Sequence, residues 1–65
     1  MNKKERHSLI LKTISNEEIS TQEELTDALN NKGAEVSQAT VSRDINELNL
    51  IKVEGKNKKF KYFSR

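Results

Sequence analysis

Apolar side chains recur along this chain in two rhythms, every three to four residues as far as Asn49 and every second residue beyond it. Between Lys4 and Asn16, the side chains of His7, Ile10, Leu11 and Ile14 fall within about 100° of one another when projected at about 100° per residue. A helix is therefore predicted over 4–16, with that stripe facing a core. Leu9 lies about 140° from the centre of the stripe, where it is either exposed or covered by a later part of the chain. After Ser15-Asn16-Glu17-Glu18 the period breaks, and Ile19-Ser20-Thr21 reads as a short extended stretch anchored by Ile19.

Thr21-Gln22-Glu23-Glu24 has the form of a capping box, in which the threonine hydroxyl accepts from the amide three residues on and the glutamate reaches back. A second helix is predicted over 22–32, buried through Leu25, Ala28 and Leu29. Glu23, Glu24 and Asp27 stand in its early turns, where the helix dipole favours negative charge. Lys32 precedes Gly33, a natural residue to follow a helix. These acids have a structural explanation and need no catalytic one. Ala34-Glu35-Val36 reads as a turn, with Val36 a hydrophobic staple before Ser37, the predicted N-cap of a third helix over 38–49. With Val41 at the origin, Ile45 at about 40° and Leu48 at about −20° form a narrow apolar seam. Ser42, Asn46, Ala39 and Arg43 fall on the far side, between about 100° and 200°.

Beyond Asn49, Ile51 and Val53 alternate onto one face, and Phe60 pairs in phase with Tyr62, which predicts strands at 51–54 and 60–63. Gly55-Lys56-Asn57-Lys58-Lys59 joins them as a hairpin with a basic tip. The predicted fold is α+β, mainly α: a three-helix bundle followed by a two-stranded wing, the winged helix-turn-helix plan. Its expected core is Ile10, Ile14, Leu25, Leu29, Val41, Ile45 and Leu48.

Sixty-five residues allow one domain, taken as 1–65, and a core of this size leaves roughly 3–5 kcal/mol of net stability. The chain has no Cys and no Pro, which excludes disulfides and thiolate metal sites. Its one histidine, His7, reads as a packed or half-exposed core residue, with no second ligand at helical spacing. An enzyme is poorly supported and no catalytic or metal residue is assigned. Met1 leads into Lys3, Lys4, Glu5 and Arg6 with no apolar leader, and Leu9-Ile10-Leu11 is the longest apolar run, so a cytoplasmic protein is expected. Ser64-Arg65 reads as a cut or a tether.

Charge sharpens the picture, because a net +2 conceals a segregated distribution. Residues 1–12 carry four basic side chains against one acidic, residues 13–50 two against eight, and residues 51–65 six against one. Basic ends that could meet on one surface suit a polyanionic partner. In a helix-turn-helix the second helix of the pair enters the major groove, and its first half meets base edges. Slim side chains there allow close approach, and a long donor reads a base. Ala39, Ser42, Arg43 and Asn46 meet that requirement, where a merely solvated face would carry Lys and Glu. Gln38 and Thr40 complete the candidate set on this helix, Thr21 and Gln22 stand at the start of the second helix facing phosphate, and Lys56, Lys58 and Lys59 form the candidate wing contact. A hairpin tip charged only for solubility is the plain alternative for those lysines.

Ser37-Gln38-Ala39-Thr40-Val41-Ser42-Arg43-Asp44-Ile45, followed by Glu47-Leu48 and Leu50-Ile51-Lys52-Val53, resembles the recognition-helix signature of the bacterial arginine repressors. Ile19-Ser20-Thr21-Gln22-Glu23-Glu24-Leu25 matches the same family's second helix, and Arg6 with Ile10 and Ile14 its first. The resemblance covers nearly the whole chain. It implies an N-terminal DNA-binding domain, with the family's Ser-Arg pair at Ser42 and Arg43. It further implies palindromic A/T-rich operators, control of arginine biosynthetic and catabolic genes, and a C-terminal domain, absent here, that binds L-arginine as co-repressor and assembles a hexamer. This chain would then be a monomeric DNA-binding fragment that itself holds no cofactor. A lysine-rich tip and the Phe60–Phe63 strand are less typical of the family. The rival from another class is a winged helix that binds protein through Glu23, Glu24 and Asp27 or through the hairpin aromatics. RNA stacking on Phe60, Tyr62 and Phe63 is a weaker rival, since their alternation is better explained by one face covering Leu9 and the helices.

Overall fold

The computed structural model describes residues 1–64, so Arg65, half of the expected cut or tether, lies outside the described residues. Its elements run α1 (Lys3–Asn16), α2 (Gln22–Asn31), α3 (Gln38–Glu47), β1 (Ile51–Glu54) and β2 (Phe60–Phe63). Every predicted element is present, and each helix opens on a polar N-cap. Asn2 accepts from the Glu5 amide at 2.8 Å. Thr21 and Glu24 form the reciprocal capping box, and Ser37 accepts from Thr40. Together these side chains satisfy amides that the helices cannot.

The differences from expectation lie at the helix ends. α3 stops at Glu47, two residues short of the predicted end, because Asn49 turns left-handed at φ 55° and closes the helix. Leu50 N–H donates to the Ile45 carbonyl at 3.1 Å and Asn49 N–H to that of Asn46 at 3.2 Å, the paired bonds of a Schellman motif. α2 ends the same way at Asn31. Gly33 at φ 88° lets Ala34 N–H reach the Leu29 carbonyl and its own N–H reach Asn30. The apolar period continues through Leu48, so periodicity alone carries the helix up to Asn49.

α1 packs on α2 and on β2, and α2 packs on α3. The core is Ile10, Ile14, Ile19, Leu25, Leu29, Ala34, Val41, Ile45 and Tyr62. Leu48, expected inside, is only partly covered, as is Leu9, and both pack against the cluster. Thr13 and Thr26 are also buried, each spending its hydroxyl on the carbonyl four residues back, Leu9 and Gln22.

β1 and β2 pair antiparallel in the register Ile51 to Phe63, Lys52 to Tyr62, Val53 to Lys61 and Glu54 to Phe60. The extended stretch after α1 has a job that its sequence did not disclose. Ile19 carbonyl accepts from Tyr62 N–H at 2.8 Å and Ser20 hydroxyl donates to the Phe60 carbonyl, so residues 19–20 bind the outer edge of β2 and hold the wing to the bundle. The expected aromatic face is corrected in part. Tyr62 alone is buried, whereas Phe60 is 50% and Phe63 48% exposed. Phe60 shares Tyr62's side of the ribbon but sits at its tip end, beyond the helices, where Lys59 Nζ lies 5.7 Å from its ring centroid.

Truncating Ile45 to Ala, at the centre of the α3 seam, should cost about 2–5 kcal/mol, a large share of the stability of so small a core. Urea denaturation followed by circular dichroism measures it. A variant unfolding with the parent chain would mean that the seam does not face the core.

Candidate nucleic-acid interface

The exposed face of α3 is oriented by a buried acid on its other side. Asp44 is 1% exposed, at about −60° from Val41 and so on the flank of the apolar seam. A carboxylate there must be partnered, and α1 supplies the partners. Arg6 grips it with two nitrogens, Nε on Oδ2 and Nη2 on Oδ1 at 2.9 Å, the paired geometry that guanidinium and carboxylate share. His7 Nε2 lies 3.0 Å from Oδ1 and 3.5 Å from Glu47 Oε1, and Lys3 Nζ pairs with Glu47 at 2.7 Å. The hydrogen bond from Arg6 holds the Asp44 carboxyl below its ordinary value against the opposing effect of burial, and Asp44 in turn raises Arg6. Lys3 likewise lowers Glu47. His7 is thus half-buried as expected, but its role is to join α1 to α3. The acidic partner came from a distant helix, which spacing along α1 could not reveal.

His7, Asp44 and Glu47 bring three ligand atoms within 4.8 Å of one another, a grouping that could suit a small cation. Both oxygens of Asp44 already accept from Arg6, and the guanidinium supplies the positive charge at that spot. The cluster reads as a structural clamp.

With Asp44 turned inward, the rest of α3 is presented outward. Gln38, Ala39, Arg43 and Asn46 are exposed, and Thr40 and Ser42 are half-buried. Thr40 is partly committed to the cap, its amide donating to Ser37 Oγ and its hydroxyl oxygen accepting from the Ser37 hydroxyl at 3.1 Å. Arg43 makes no ion pair among the described residues. The turn before α3 is set by a residue that the sequence pattern did not single out. Asn30 pairs its side-chain amide with both backbone groups of Val36, accepting from its N–H at 2.7 Å and donating to its carbonyl at 3.1 Å.

At the start of α2, Thr21 is exposed and Gln22 half-buried. The threonine oxygen accepts from Glu24 N–H, which leaves the hydroxyl proton to donate. In the wing, Lys56 and Lys59 form no ion pair among the described residues, whereas Lys58 Nζ pairs with Glu24. That hydrogen bond is the largest influence lowering Glu24. Three backbone amides of the tip, those of Lys56, Asn57 and Lys58, donate to one carboxylate, Glu18. They lower its pKa, the Asn57 amide most. No helix among the described residues is long and apolar enough to cross a membrane.

The family model for the arginine repressor DNA-binding domain matches residues 1–64. Curated arginine repressors of Bacillus cereus strain AH187, Bacillus anthracis strain CDC 684 and Bacillus thuringiensis subsp. konkukian strain 97-27 are each 55% identical over 62 residues, which is 95% of this chain. The chain spans 42% of the length of each of these relatives.

The clamp makes a signed prediction. Asp44's folded-state pKa is depressed, so its contribution to stability is complete above the ordinary value near 3.8 and is lost as pH falls through the lower folded value. Asp44→Asn should flatten that part of the acid limb. It should also cost about 2–4 kcal/mol at neutral pH, somewhat under the range for a fully enclosed pair because Arg6 keeps a path to water. Thermal melts of both proteins between neutral and acid pH test this. Parallel pH profiles would show that the pair does not stabilise the fold.

Proposed function

The chain belongs to the arginine repressor DNA-binding domain family, whose members are DNA-binding transcriptional repressors, and we propose that it reads operator DNA through α3. In this reading α3 lies in the major groove with Arg43 on the O6 and N7 atoms of a guanine, Asn46 on an adenine edge and the Ala39 methyl against a thymine methyl. Ser42, Gln38 and Thr40 serve neighbouring base or phosphate oxygens. Thr21 and Gln22, at the positive end of α2, take a phosphate. The wing follows the backbone with Lys56, Lys58 and Lys59, of which Lys58 exchanges its exposed pairing with Glu24 for a phosphate.

One observation carries this reading. Neighbouring residues of α3, about 100° apart around the helix, fall on different sides of its boundary with the core, Asp44 buried in the clamp and Arg43 exposed amid Ala39, Ser42 and Asn46. An exposed helix face that is short, mostly uncharged and armed with one long donor suits close approach to a duplex better than it suits water.

For the longer protein of which the relatives are examples, we propose L-arginine as co-repressor, bound outside the part spanned by this chain, together with hexamer assembly and palindromic A/T-rich operators. The regulated genes would be those of arginine synthesis and breakdown, and the site of action the cytoplasm. This domain alone acts as a monomer on a half-site and does so by binding, without catalysis. The name that the relatives carry supports the link to arginine and to repression, and the fraction of their length that this chain leaves uncovered supports an arginine site outside it; the remaining points are what the family resemblance implies.

Arg43→Ala should weaken operator binding by about 1–3 kcal/mol and random-duplex binding much less, as read by fluorescence anisotropy on both duplexes. Equal losses on the two would reassign Arg43 to a phosphate. Replacing Lys56 and Lys59 together by Gln should flatten the slope of log affinity against log salt by about 1–2 units on any duplex, since each phosphate neutralised contributes about 0.9. An unchanged slope would leave the wing lysines as a solvated turn.

A further inference from the structure

The wing tip contains an arrangement that the reading of α3 does not use. Lys56 N–H donates to Glu18 Oε1 at 2.5 Å, Asn57 N–H to Oε2 at 2.8 Å and Lys58 N–H to Oε1 at 3.4 Å. Successive amides converging on one anion make a backbone nest, a concavity suited to oxyanions whatever side chains surround it. Gly55 opens this one. A Cβ built there would overlap both Glu18 Oε1 and the Lys58 carbonyl, so the glycine is what lets an anion come so close. The occupant comes from outside the hairpin, on the connection between α1 and α2, and is held by these amides through a flexible two-methylene arm.

We propose that this nest is a phosphodiester site of the wing, which Glu18 occupies in the free protein and yields to a DNA backbone phosphate on binding. The proposal rests on the DNA-binding reading above. A phosphodiester offers the nest what Glu18 offers, two oxygens sharing one negative charge, and Lys56 and Lys59 on the same tip attract it. Glu18 is then an internal competitor, an acid whose departure must accompany docking of the wing.

The test uses the 65-residue chain, with Glu18→Ala to vacate the nest and Glu17→Ala to remove the same charge one residue away, where the side chain pairs with Lys32 instead. Amide spectra are recorded during titration with inorganic phosphate and with a random-sequence duplex. Glu18→Ala should show saturable shifts of the Lys56, Asn57 and Lys58 amides with phosphate, where the parent shows none. It should bind the duplex about three- to tenfold more tightly than Glu17→Ala does. Duplex affinity at or below that of Glu17→Ala would overturn the proposal and make Glu18 a strut of the hairpin. Shifts with inorganic phosphate but none at these amides with duplex would overturn the DNA source. Should Glu18→Ala lose the dispersion of the hairpin amides, Glu18→Gln, which keeps an acceptor oxygen without the charge, is read in its place, and a gain supports while no gain overturns. Failure of the DNA-binding reading is separately visible, as a parent chain whose α3 amides do not move with any duplex.

Discussion

The burial of one carboxylate, that of Asp44, is the constraint on which the orientation of the recognition surface depends. Helix packing joins α1 to α2 and α2 to α3, and polar pairs tie α1 to α3, from Arg6, His7 and Lys3 to Asp44 and Glu47. A buried pair of this kind adds little stability over an apolar replacement of the same shape, because desolvation offsets most of the attraction. Its effect is on geometry. A bidentate guanidinium permits few placements of its partner, so rotating α3 about its axis would strand a charge in the core. The helix phase that faces Val41 and Ile45 inward is therefore also the one that turns Arg43 outward.

The same economy governs how the elements are joined. A core this small cannot enforce element boundaries by packing alone, and side-chain chemistry at each junction does so instead. Asn2, Thr21 and Ser37 begin the helices, Gly33 and Asn49 end two of them with left-handed residues, and Asn30 folds the intervening turn onto α2. The connection between α1 and α2 performs several tasks within a few residues. Ile19 enters the core, its carbonyl and the Ser20 hydroxyl bind β2, Thr21 caps α2, and Glu18 enters the wing tip.

This junction changes the electrostatics of the wing. Counting charges along the chain makes residues 51–65 the most basic stretch, yet Lys58 pairs with Glu24 and Glu18 faces the tip amides. Lys52 Nζ in turn lies 5.3 Å from the centroid of the Tyr62 ring. The positive field that a polyanion would meet is weaker than that count implies. It is set against acids belonging to α2 and its approach, which lie far off in sequence.

Local signals determined the elements and much of the site's outline. Capping residues, the period of Ile10, Ile14, Leu25, Leu29, Val41 and Ile45, and the switch to alternation after Asn49 act over a few residues, so they can be read without knowing the fold. The same period placed Ala39, Arg43 and Asn46 on an outward face, because a helix with one buried side must expose the other. What only the tertiary structure decided are the pairings between distant residues: Arg6 with Asp44, His7 with Asp44 and Glu47, Ile19 with Tyr62, Lys58 with Glu24 and Glu18 with the wing tip. Asp44 stands on the flank of the seam by its helical phase, but nothing local says that its charge is met there. A charged side chain is stable inside only when a particular partner meets it there, and that meeting is a property of the folded arrangement.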